Sequence, residues 1–278
     1  MKKVAVVLLV FLLIPSGIFA KPKKAKKEKP QKAEVHPKPK EFFVDVLLPH
    51  LWEGTKAVFS DENVPYFALS TTLAGVAFTQ DDKVRSWWLE YEPLGDYKGI
   101  GNTWGDGLTQ AGIALSLWGG GLLAKNQKLA TTGEVLAEAE IINGILTTIF
   151  KAVVGRQRPD ESGYDSFPSG HTSASFTLAA VIDHRLGHAW GIPAYLLAIY
   201  TGMCRMESDV HWFSDVVMGA GLGMIVGYSV SKKHDDYPYE KRWHKTDKKK
   251  SALKNAVIFP IVPEKGNGAG VGVLLNLN

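Results

Sequence analysis

Several stretches of this chain run for 16 residues or more without a charge, among them Leu108–Ala124, Ala189–Cys204 and Val216–Ser231. Each reads as a helix with too little polar surface to stand alone in water, so the chain must build its fold by packing helices on one another. A membrane span usually takes about 20 apolar residues. These runs are shorter, and Gly, Thr, Ser and Gln interrupt them. They therefore read as buried core helices of a water-soluble or peripheral domain, with an integral membrane bundle as the competing reading. The spacing predicts helices over 42–58, 65–78, 106–124, 132–154, 171–187, 191–204 and 213–231, an all-α body. In the fourth of these, Thr132 is the expected N-cap with Glu134 in the first turn, and Ile141, Ile145, Thr148 and Ala152 share one stripe. Gly155 and Pro159 close it.

Charge marks where that body stops. Residues 41–231 hold 11 Lys or Arg against 21 Asp or Glu, a net of −10. Residues 21–40 hold nine lysines against Glu28 and Glu34, and residues 232–254 hold nine Lys or Arg against four acids. An acidic body with basic flanks argues against a nucleic-acid groove, which needs its cations on the folded surface.

The first twenty residues have the layout of an export signal: Lys2 and Lys3, an apolar run from Val4 to Ile14, then small residues up to Ala20. The competing reading is an uncleaved anchor, because the nine lysines that follow oppose the positive-inside bias. Export would place the protein in the periplasm or cell envelope. Residues 21–40 have almost no apolar content and four prolines, and read as a disordered tether drawn to an anionic membrane surface. Residues 232–254 read as a basic linker, and 255–278 as a β-hairpin tail. Cys204 is the sole cysteine, so no internal disulfide can form.

Three strings carry the chemistry. In KAVVGRQRP (151–159), Lys151 sits in a last helical turn and Arg158 precedes a helix-ending proline that forces it toward extended backbone. In PSGH (168–171), a turn opens a helix whose free N–H groups and partial positive charge suit a phosphate oxygen. Ser169 adds a hydroxyl donor, Gly170 allows close approach, and His171 stands at the rim as a proton donor. In CRMESDVHWFSD (204–215), His211 and Asp215 are four apart, so a helix starting near them would stack the two. A carboxylate on one imidazole nitrogen leaves the other as a nucleophile. Arg205 offers a planar fork for phosphate oxygens. Three fixed cations are what a metal-free phosphoryl-transfer site needs. No Asp, Glu or His grouping with metal-ligand spacing accompanies them, so no metal and no cofactor is expected.

These strings resemble the signature of the type 2 phosphatidic acid phosphatase (PAP2) superfamily, which takes in bacterial acid phosphatases and vanadium haloperoxidases: Lys-x6-Arg-Pro, Pro-Ser-Gly-His and Ser-Arg-x5-His-x3-Asp. The resemblance spans roughly 65–231 and departs from the pattern at Cys204, where the family has serine. It implies a helical bundle that hydrolyses phosphomonoesters, lipid phosphates or pyrophosphates among them. His211 would become phosphohistidine, oriented by Asp215. His171 would act as general acid and then base, and Lys151, Arg158, Ser169, Gly170 and Arg205 would hold the phosphate. A vanadate-dependent haloperoxidase and a non-catalytic envelope protein binding anionic headgroups are the rival readings. Arg156 reads as a surface charge rather than a phosphate ligand, and His184 and His188 as exposed helix-end histidines. Trp212 is a candidate pocket wall, and Asp160, Glu161 and Asp165 are candidate filters against highly anionic substrates.

Overall fold

The computed structural model describes residues 47–235 and the backbone of 256–261 and 270–275. The expected signal (1–20), tether (21–40) and most of the basic linker (236–254) lie outside the described residues. Helices follow in the order α1 (Leu48–Val58), α2 (Val64–Phe78), α3 (Asp81–Tyr91), α4 (Lys98–Trp104), α5 (Gly107–Leu123), α6 (Gln127–Val154), α7 (Gly170–Leu186), α8 (His188–Glu207) and α9 (Phe213–Asp235). The body is all-α. Beyond it, β1 (Ala256–Ile261) and β2 (Gly270–Leu275) pair antiparallel, with Ala256 opposite Leu275 and Ile261 opposite Gly270.

The centre of the body is α7, whose residues Thr172 through Asp183 are all buried. It lies against α9 backbone to backbone. Cβ atoms placed on Gly219 and Gly227 would sit 2.6 Å from the Ser169 carbonyl and 2.5 Å from the Thr177 carbonyl. One on Gly223 would strike the Ser173 carbonyl more closely still. Both sets climb by four, so the helices run parallel and only glycine admits the approach. Their N-termini therefore lie at the same end.

Some local expectations are corrected. α3 and α4 join the fold where only connections were expected, because DDKVRSWWLEY is charge-rich and KGIGNTW is short and glycine-broken. α6 starts at Gln127, where the Asn126 side chain accepts from the Leu129 amide at 3.2 Å. Thr132 is thus no cap; it is fully buried, and its hydroxyl donates to the Lys128 carbonyl at 2.7 Å. α8 is one helix from His188, with Pro193 six residues in.

The largest correction concerns which faces are inside. The expected stripe on α6 points outward: Ile145 is 54% exposed and Val153, further along, is 77% exposed. The inward face carries Thr132, Val135, Leu136, Ala139, Ile142, Asn143 and Leu146. α5 likewise exposes Leu108, Leu115 and Leu123, and α8 exposes Trp190, Ile192 and Leu196. Periodicity finds an apolar stripe but not the side of the bundle it covers. Among the described residues, α9 alone is long and apolar enough to cross a membrane, and it is mostly enclosed by its neighbours.

Candidate active site

The three strings meet at the end where α7 and α9 begin. α6 ends there with Lys151 in its last turn, stopped by Gly155 in the left-handed conformation (φ 57°). The extended loop that follows returns to the body: the Ser166 amide donates to the Arg156 carbonyl at 3.0 Å, and the Ser169 amide donates to the Asp215 carbonyl at 3.0 Å. This last bond ties the start of α7 to the first turn of α9. The Phe167–Pro168 peptide is cis.

His211 does not sit on a helix face. It precedes α9 by two residues, and Asp215 lies in the first turn. Both are buried, with Nδ1 of His211 3.6 Å from Oδ2 of Asp215, a contact just beyond hydrogen-bond range. Catalytic hydrogen bonds in a ligand-free site are often long and tighten on binding. Burial pushes the His211 imidazole below its usual value, and the nearby Lys151 and Arg205 act the same way. Asp215 opposes the shift. The net shift favours the neutral ring, the form a nucleophile needs.

Asp215 is fastened on every side. Its Oδ1 accepts from Arg156 Nη1 at 2.7 Å, and its Oδ2 accepts from Ser166 Oγ at 2.5 Å and the Trp212 amide at 2.9 Å. Arg156 is thus neither a surface charge nor a phosphate ligand. Its Nη2 donates to Asp81 at 2.7 Å, its Nη1 donates also to Ser214 Oγ, and its guanidinium lies over the rings of Phe78 (5.0 Å) and Trp212 (5.2 Å). Asp81 in turn accepts from the amide and hydroxyl of Ser214. Trp212 lies between Arg156 and Arg85, and its indole donates to the Gln157 carbonyl. Sequence reasoning missed Arg156, Ser166 and Asp81 as supports of Asp215. Arg156 stood inside a matched string, but nothing local shows that its partners lie 59 and 75 residues away.

The cations take up the opposite side. Arg158 makes a two-pronged bond to Asp165, at 2.8 and 2.9 Å, and Lys151 donates to the Asp165 carbonyl with its carboxylate 3.8 Å away. Asp165 is half exposed, and its bond to Arg158 holds its carboxyl below the usual range. Arg205 donates from Nη1 to Asn102 at 2.9 Å, while its buried Nε has no acceptor among the described residues. Ser169 is fully buried, with its hydroxyl 2.9 Å from that of Thr172. A Cβ on Gly170 would make only ordinary contact with Thr147 and Lys151, so its space is not demanded by the protein itself. His171, the second residue of α7, is half-buried and close enough to His211, Arg205 and Lys151 to feel their charge.

The remaining candidates are satisfied elsewhere. His184 pairs with Asp235 and His188 with Asp183, each at 2.7 Å. Asp160 accepts from Ser162. Cys204 is buried against Gly101, at whose position a Cβ would meet its sulfur.

A family model described as PAP2 superfamily matches residues 135–237, which hold all three strings. A lipid A 1-phosphatase of Porphyromonas gingivalis is 28% identical over 168 residues, covering 58% of this chain and 32% of its own. A decaprenylphosphoryl-5-phosphoribose phosphatase of Mycobacterium tuberculosis is 33% identical over 92 residues, 30% of this chain and 50% of its own. The chain spans between 32% and 45% of the length of the lipid A 1-phosphatases it matches. The crystal structure of a transmembrane PAP2 type phosphatidylglycerolphosphate phosphatase from Bacillus subtilis shares the fold, with a TM-score of 0.56 at 19% identity over 65% of this chain and 99% of that one.

Proposed function

We propose that this chain, whose residues 135–237 match the PAP2 superfamily model, is a phosphatase that removes the phosphate from a lipid phosphomonoester through a phosphohistidine at His211. The observation that carries the reading is the buried imidazole of His211, backed by a carboxylate that five other groups fasten directly or through Arg156, with Lys151 and Arg205 near enough to act on its charge. The other imidazole nitrogen attacks phosphorus while the bond to the lipid oxygen breaks, and His171 gives that oxygen its proton. His171 then takes a proton from water, whose oxygen attacks phosphorus as the P–N bond breaks and inorganic phosphate leaves. Lys151, Arg158 and Arg205, with the Ser169 hydroxyl and the Gly170 amide at the start of α7, hold the equatorial oxygens. Arg158 and Lys151 must exchange Asp165 for the phosphate, so Asp165 marks where the anion sits.

Lipid is favoured over a soluble ester by the exterior. Outward Leu, Ile, Val and Trp on α5, α6 and α8 form the surface expected of a body embedded in a bilayer, and water would leave them at a cost. The similarity to a lipid A 1-phosphatase and a decaprenylphosphoryl-5-phosphoribose phosphatase agrees with this choice. An export signal at residues 1–20 would put the reaction on the far side of the inner membrane. The test uses full-length protein in detergent, with phosphatidic acid in mixed micelles and an aryl phosphate as substrates, chelator present. The lipid is turned over in preference, and His211→Ala lowers kcat by about 10²–10⁴. An acid-labile, base-stable phosphoenzyme builds up in His171→Ala and is missing in His211→Ala. Labelling that survives His211→Ala refutes the mechanism.

A further inference from the structure

At the other end of the bundle three residues converge that the phosphatase chemistry does not use. His50 on α1, Glu138 on α6 and His234 at the end of α9 each present one ligand atom, all within 4.8 Å of one another. His50 Nδ1 lies 3.2 Å from Glu138 Oε1, and His234 Nε2 meets Oε2 of the same carboxylate. The two imidazoles stand edge to face at 82°, with centroids 5.5 Å apart. We propose that His50, Glu138 and His234 form a binding site for a divalent metal of the zinc class, which clamps α1 to α6 and α9.

The donor set fits. Two imidazoles and one carboxylate are a borderline-soft, nitrogen-rich set that suits zinc and its first-row neighbours, not calcium or magnesium. Zn–N and Zn–O distances of ~2.0–2.2 Å at a tetrahedral angle put neighbouring ligand atoms ~3.4 Å apart. The His50–Glu138 spacing of 3.2 Å already matches. Glu138 and His234 are buried while the His50 side chain is 20% exposed, so water can take the fourth position on that side. One imidazole would suffice to partner the carboxylate; two, aimed at opposite oxygens from different helices, leave an interior point that a cation would share.

The packing keeps these residues in register. One turn after His50 and Glu138 are Gly54 and Ile142, one turn before His234 is Val230, and a Cβ on Gly54 would come 2.9 Å from Ile142 Cδ1 and 3.5 Å from Val230 Cγ2. The missing side chain at Gly54 leaves α1 room to lie close to α6 and α9. The site is remote from the phosphate: 19 residues of α9 separate Asp215 from His234, about 28 Å at the rise of an α-helix. The helices supplying the ligands come from sequence positions 88 and 96 residues apart, which is why no ligand spacing shows in the sequence.

The full chain in detergent is stripped with chelator and titrated with Zn²⁺, and separately with Co²⁺. One saturable equivalent per chain, a raised unfolding temperature and the strong visible bands of four-coordinate Co²⁺ are expected. His50→Gln, at the exposed rim, and Glu138→Gln, which keeps its hydrogen bonds, should each weaken binding at least tenfold without loss of the folded state. Initial aryl phosphate turnover by freshly stripped protein stays that of the loaded protein. No saturable binding, or the same binding in both variants, overturns the proposal.

Discussion

Arg156 offers the sharpest test of how the site is held. Its guanidinium bonds Asp215, Ser214 and Asp81 and lies between Phe78 and Trp212. Asp215 is fully buried and Asp81 nearly so, so Arg156→Leu strands two carboxylates in the interior. Removing one partner of a buried pair costs about 3–5 kcal/mol, and each ring contact adds about 0.5–1 kcal/mol. A loss of at least 3 kcal/mol is therefore expected, against about 0–1 kcal/mol for an exposed pair such as Arg158–Asp165. Arg156→Lys keeps the charge but cannot span both carboxylates while lying over the rings, so its loss falls between. Because Arg156 reaches His211 only through Asp215, kcat should drop about 10²-fold with KM nearly unchanged. Urea unfolding in detergent and steady-state kinetics measure both. A variant of near wild-type stability with a raised KM would show that Arg156 faces the phosphate, and the argument would fail.

Asp165→Asn frees Lys151 and Arg158 from an exposed partner; since such pairs are worth about 1 kcal/mol or less, phosphate inhibition should tighten by no more than about fivefold, read as a product-inhibition constant. With His211 lowered from 6.5, the acid limb of kcat/KM should fall below pH 6.5 and vanish in His211→Ala. The sign for stability follows the same way: a histidine with a depressed folded value contributes fully above its unfolded value near 6.5, and that contribution fades as pH drops toward the folded one. Ile145→Lys should cost about 2.5–3.5 kcal/mol of membrane insertion if α6 faces lipid, and less than about 0.5 kcal/mol of stability if it faces water. Gly223→Ala gains about 1 kcal/mol of helix propensity but drives a methyl into the Ser173 carbonyl, so net destabilisation of about 1–3 kcal/mol is expected from thermal unfolding.

The candidate site's residues were legible in sequence because each string keeps them a few residues apart, on one turn or one helix end. Lys151, His171, Arg205 and His211 needed only the joining of three segments, and they influence one another's charge as that joining requires. Their supports were not legible. Asp81 reaches Ser214 across 133 residues and Asn102 reaches Arg205 across 103, and no local pattern encodes such pairs. Helix type was readable from apolar runs, but α3 was hidden by its charges and α6 was read one and a half turns short. The facing of α6 misled for a physical reason: the helix is apolar outside and mixed within, with Thr132, Glu138 and Asn143 buried beside Val135, Leu136 and Ile142. A period-3.6 pattern has the same form whether its apolar face meets a core or a lipid tail.

That inversion and the phosphate site have one origin. A chain whose outer surface is apolar must draw its helices together by close backbone contact, since hiding apolar side chains gains little in lipid. The Gly219, Gly223 and Gly227 ladder does this for α7 and α9. Because that contact is parallel, it sets two helix N-termini side by side, each with about half a positive charge, the Ser214 amide of α9 being already taken by Asp81. Ser169, Gly170 and His171 open one of them, and His211 leads into the other. Both termini would repel in an empty interior; Asp215 in the first turn of α9 offsets one, and an anion would offset the second. Lys151, Arg158 and Arg205 then add net charge of the sign the phosphate needs. The Ser169 amide bond to the Asp215 carbonyl keeps the two termini in fixed relation, so the proposed nucleophile His211 and the amides that open α7 are placed by the same packing that holds the bundle together.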